Sequence, residues 1–91
     1  MSLFDRIEVY TVFNGYGRKL QPVKFRWNGR VYSVAEVTYT WESTRGATRY
    51  LHFAVCDSAN LYELVFDTKA LVWEIHDVQN LSEVPAEYGG R

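Results

Sequence analysis

The sequence predicts an all-β protein: a small antiparallel meander of five to six strands, curled into an SH3-like roll or barrel. Three observations carry this. Short runs alternate apolar and polar residues, turn-forming clusters separate them at regular intervals, and the side chains suit a pleated surface. The chain of 91 residues holds three Trp, seven Tyr and five Phe, and Val and Thr recur throughout, as strands favour. No stretch sustains a 3.6-residue period. One core is all that this length supports, so residues 1–78 read as a single β domain and 79–91, "QNLSEVPAEYGGR", as a C-terminal tail, frayed or at most one helical turn.

The first strand is "IEVYTVF" (7–13), and "NGYGRKLQP" (14–22) reads as a loop from its two glycines and its proline. The second strand follows as Val23-Lys24-Phe25-Arg26-Trp27, with Val23, Phe25 and Trp27 expected inside and the two cations outside. Asn28-Gly29 is a strong hairpin signal, because a type I′ turn needs positive φ at both central residues. The return strand runs from Arg30 as far as Glu42, and its pattern slips phase. Tyr32 and Val34 share one face, whereas Val37, Tyr39 and Trp41 share the other. A β-bulge at Ala35-Glu36 accounts for the slip, and would bend the strand as small barrels require.

"ESTRGATR" (42–49) reads as a polar turn, followed by a strand with Leu51, Phe53 and Val55 on one face and His52 and Ala54 on the other. "DSAN" (57–60) and "DTKA" (67–70) are turns that bound the strand 61–66. A last strand places Leu71, Trp73 and Ile75 inside against Glu74 and His76.

Charge is uneven along the chain although the net value is −1. Residues 18–49 carry seven cations against Glu36 and Glu42, and residues 50–91 carry Lys69 and Arg91 against seven carboxylates. Such a distribution suits a charged binding face or self-association. The single Cys56 excludes an internal disulfide, and no apolar run approaches the ~20 residues of a membrane span. The expectation is a cytoplasmic protein with no membrane contact.

Motifs that would carry catalysis are missing from the linear sequence. "NGYGRK" lacks phosphate-loop spacing. His52 and His76 lie on different strands without the paired short spacings of a zinc site, so no metal and no cofactor is expected. Cys56 reads as a small core or edge residue. The remaining candidates are cationic and aromatic: Lys24, Arg26, Arg30, Arg45 and Arg49, with Trp41 among them. Small β domains that hold single-stranded nucleic acid combine a basic groove with aromatic platforms in this way.

The segments "FRWNGRVYSVAEV", "LYELVFD" and "LVWEI" resemble a family of short uncharacterised bacterial β domains. The matching positions are Phe25, Trp27, Gly29, Arg30, Tyr32, Val34, Trp41, Tyr62, Glu63, Leu64, Asp67 and Trp73. A similar segment closes the inactive Y-family polymerase-like subunit of bacterial mutagenic repair. The resemblance spans about residues 5–78 and departs between Trp41 and Tyr50, where the loop is short. It implies a fold and an association with DNA-damage tolerance, but no activity.

These observations lead to an expected function: a non-enzymatic interaction module, an adaptor for a protein partner in a DNA-repair setting. Single-stranded nucleic-acid binding through residues 24–49 is the alternative, and a self-associating β domain forming a homo-oligomer is the third reading.

Overall fold

The computed structural model describes residues 2–14 and 19–83. Seven strands follow in order: β1 (Ser2–Asn14), β2 (Lys19–Trp27), β3 (Arg30–Ser33), β4 (Glu36–Arg45), β5 (Thr48–Cys56), β6 (Asn60–Asp67) and β7 (Val72–Asn80). A 3₁₀ turn, Leu81–Glu83, ends the described chain. All pairings are antiparallel, in the order β3-β2-β1-β7-β6-β5-β4. Two meanders, β1–β2–β3 and β4–β5–β6–β7, are thus fused through β1 and β7. The all-β antiparallel class holds. The count is seven rather than five or six, because the run 30–42 is broken into β3 and β4, and the sheet does not close into a barrel.

β1 serves both meanders. Asp5, Arg6 and Ile7 pair with β7, whereas Glu8–Asn14 pair with β2. The curled sheet buries one face around Ile7, Phe25, Phe53, Val55, Tyr62, Leu64, Trp73 and Ile75. Phe25 stacks on Tyr32 at 5.2 Å and meets Tyr62 edge-on at 5.1 Å, the two arrangements that ring quadrupoles favour.

The turns follow from their residues. Asn28 and Gly29 have φ of 53° and 77°, as a primed turn demands. Asp57 Oδ1 accepts from the N–H groups of Ala59 and Asn60, and Asp67 Oδ1 accepts from those of Lys69 and Ala70. Each aspartate thereby folds the chain back through its own side chain. The polar segment 42–49 is not a wide turn: β4 continues to Arg45 and β5 starts at Thr48, so only Gly46 and Ala47 lie between them. The loop 14–22 is likewise narrower, since β1 includes Asn14 and β2 begins at Lys19. β7 continues through Asn80, two residues into the segment expected as tail, and residues 84–91 lie outside the described chain.

Two extra residues correct the expected faces. Tyr10 pairs with Lys24 and Thr11 with Pro22, so Val23 is a bulge on β2. It is pushed outward, 42 % exposed, while Pro22 is fully buried. On β4 the pairs Val37–Val55 and Tyr39–Ala54 leave Thr38 as the extra residue, and its hydroxyl donates to the Ala54 carbonyl at 3.1 Å. The phase slip read at Ala35-Glu36 is therefore two events: a break in the strand at Val34-Ala35 and a bulge at Thr38. Val37 consequently packs on the core with Tyr32 and Val34, and only Tyr39 and Trp41 reach the outer side.

Candidate functional site

β3 and β4 are the outermost strands of the sheet, yet only Val34 and Ala35 separate them in sequence. The Val34 N–H donates to the Val23 carbonyl of β2 at 2.9 Å, and the Ala35 N–H donates to the Cys56 carbonyl of β5 at 2.8 Å. Consecutive residues thus tie the two ends of the sheet together at one point. Away from that pin the ends separate. Among the described residues, β3 covers β2 only from Lys24 to Trp27, no strand lies along the outer edge of Lys19–Pro22, and β4 pairs only with β5.

Both free edges line one groove of about 910 Å³. Lys19, Leu20 and Gln21 of β2 form one wall with Phe13 of β1, and Val37–Glu42 of β4 form the other. Phe13 and Tyr39 are 65 % and 59 % exposed and present large apolar surface to the groove. The bulge at Thr38 produces this wall, since without it Tyr39 would point into the core. Strand edges with unpaired N–H and C=O groups are templates for another strand.

The six residues singled out from the sequence divide between two hairpins. Lys24 lies over the Tyr10 ring at 4.8 Å, Arg26 pairs with Glu8 at 3.5 Å, and Arg30 sits 6.0 Å from the Tyr32 ring centre. These three belong to the β2–β3 hairpin. Arg45 and Arg49 belong to the β4–β5 hairpin, at the far end of the run that begins at Arg30, and Arg49 faces Glu42 at 3.7 Å. Trp27 is half-buried against the core, its indole N–H donating to Asp5 at 3.0 Å. Of the six, Trp41 and Arg49 line the groove.

A second arrangement occupies the outer face of the β4–β7 sheet. Ser43 Oγ lies 2.7 Å from His52 Nε2, and His52 Nδ1 lies 3.1 Å from Glu63 Oε2. Trp41 stacks on the imidazole at 4.9 Å with 15° between the planes. His76 and Glu74 pair nearby at 2.9 Å, with Phe4 against the His76 ring. This chain of residues was invisible in the linear sequence. Alternation puts His52 and Glu63 on outward faces, but Ser43 falls in the segment read as a turn, and their meeting depends on the diagonal offset between three strands. Among the described residues no three His, Cys, Asp or Glu side chains are grouped to hold a metal ion.

Titration is shifted at the β5–β6 turn. Burial pushes the Cys56 thiol up, helped by the Glu36 and Asp57 carboxylates. Burial also works against the Asp57 carboxylate, but hydrogen bonds from Ala59, Asn60 and Tyr62 outweigh it and hold the group below its ordinary value. Tyr62 is pushed up to about 12, chiefly by burial. These groups hold the turn.

No helix among the described residues is long and apolar enough to cross a membrane. In comparisons with known proteins, no family model, no curated protein and no solved structure matches the chain.

Proposed function

We propose that the protein is an interaction module, an adaptor that takes an extended segment of a partner protein into the seam between β2 and β4. The observation that carries this reading is a groove lined by two strand edges that, among the described residues, have no strand beside them. A peptide entering it would gain main-chain hydrogen bonds from Lys19–Pro22 on one side and Val37–Glu42 on the other, while alternate side chains meet Leu20 and Tyr39. Strand addition draws affinity from the backbone and specificity from such pockets. The resemblance noted in the sequence connects such an adaptor with DNA-damage tolerance, and the lone, buried Cys56 suits a reducing cytoplasmic setting.

Direct nucleic-acid binding has less support, because Arg26 and Arg49 are each paired with a carboxylate and the cations divide between two hairpins. The test is selection of linear peptides from a random displayed library, followed by amide exchange on the complex. Slowed exchange at both Lys19–Gln21 and Val37–Glu42 is expected, with binding lost in Phe13→Glu and Tyr39→Glu. Both sites are exposed, so the fold should tolerate these changes. Protection confined to another surface would sink the reading. So would a peptide-free dimer in sedimentation, which would assign the seam to a second copy of the chain.

A further inference from the structure

We propose that Ser43, His52 and Glu63 form an acyl-transfer site that hydrolyses small carboxylic esters. The proposal goes beyond peptide capture, does not depend on it, and departs from the expectation of a non-enzymatic protein.

Three adjacent strands contribute one residue each. The Glu63 carboxylate can only accept, so the proton of the neutral imidazole sits on His52 Nδ1, and Nε2 is left to accept from the Ser43 hydroxyl. That tautomer is the one a general base needs, with the carboxylate orienting the ring and stabilising the imidazolium that forms. Trp41, stacked on the imidazole, blocks the rotation that would break both bonds. The His52 side chain is only 13 % exposed, whereas Ser43 is open to solvent. The base is shielded and the nucleophile is reachable.

A cavity of about 450 Å³ adjoins the hydroxyl, within the range of small-molecule sites. Phe4 and Val65 give it an apolar wall, and Arg45 brings a cation to it from the position two residues beyond Ser43 on the same face of β4. In the reaction, Ser43 Oγ bonds to the ester carbonyl carbon as its proton moves to His52 Nε2. Arg45 faces the charge that develops on the carbonyl oxygen. The carbon–alkoxy bond then breaks, and the alcohol leaves with the proton returned by His52. Water, deprotonated by the same nitrogen, releases the carboxylic acid and restores the serine. The backbone donors of β5 are committed to ladders on both sides, so oxyanion stabilisation falls to side chains such as Arg45 and to N–H groups on the free edge of β4. Esters with good leaving groups, rather than amides, are the substrates such a site can turn over.

The full chain is treated with a fluorophosphonate probe and with p-nitrophenyl acetate and butyrate. One phosphonyl adduct, on Ser43, is expected, and Ser43→Ala abolishes it together with turnover while leaving the circular dichroism spectrum unchanged. His52→Gln should lower kcat by roughly 10²-fold or more, the usual worth of a general base. Glu63, a positioning residue, is tested by Glu63→Gln, which should lower kcat without changing KM. An unlabelled Ser43, or ester hydrolysis equal in the wild type and Ser43→Ala, overturns the proposal.

Discussion

Tyr62 is 2 % exposed, and its hydroxyl donates to Asp57 Oδ2 at 2.7 Å. The pair makes stability depend on pH at both ends of the scale. The folded protein keeps the Tyr62 proton up to about 12, whereas an unfolded tyrosine loses it near ~10. Its contribution is therefore complete below about pH 10 and is lost as pH rises toward the folded value. Tyr62→Phe should cost about 1 kcal/mol at neutral pH for the lost hydrogen bond, yet lose less stability than the wild type across the alkaline range. Urea titrations at several pH values measure both effects. Asp57 runs the other way: its folded carboxyl is depressed, so its contribution is present above the unfolded value near ~4 and disappears as pH falls. Asp57→Ala should flatten the acid limb. Beside it, the buried and raised Cys56 thiol should react with iodoacetamide far more slowly than a free thiol at pH 7, and at the free rate once unfolded.

At the scale of elements, hairpin chemistry was legible and ladder irregularities were not. Asn28-Gly29 announced its turn because its backbone needs are local. A Cβ on Gly29 would meet nothing within 4 Å, so Gly29→Ala carries only the backbone cost of a positive φ, about 1–2 kcal/mol in chemical denaturation. Val23 and Thr38 carried no such mark, since a bulge exists only relative to the strand opposite. Alternation alone put Val23 inside with Phe25. The structure predicts that Val23→Lys changes stability by no more than about 0.5 kcal/mol, while Phe25→Ala, at a site with no exposure, costs about 3–5 kcal/mol. The same physics hid the serine–histidine–glutamate row. Sequence assigns a residue to a face, but register decides its neighbours: Ser43 stands opposite Tyr50, and His52 stands between Trp41 and Val65. The cations divide for a related reason: Lys24 lies on β2 and Arg49 on β5, with β1, β7 and β6 between them in the sheet.

For the whole molecule, the proposed peptide capture at the seam would make stability and binding one quantity. A peptide that joins β2 and β4 binds only the folded chain, so it should raise stability by about 2.7 kcal/mol at a hundred times its Kd, read as a concentration-dependent rise in Tm. That gain should change little between low and moderate salt. A nucleic-acid ligand would lose affinity steeply over the same range as counterions are released.

The two-residue link Val34-Ala35 also bears on connectivity. β1 starts beside the end of β7, with Ser2 paired to Asp77. If the ends were joined and the chain opened between Val34 and Ala35, the strands would run β4-β5-β6-β7-β1-β2-β3. That is the order of the sheet itself, so every ladder would then join strands consecutive along the chain. Such a circular permutant keeps each pairing but replaces the long-range closure of β1 on β7 with a local hairpin. Lower contact order should make it fold faster than the natural arrangement. Its equilibrium stability would report how firmly one peptide link holds the two ends of the sheet together.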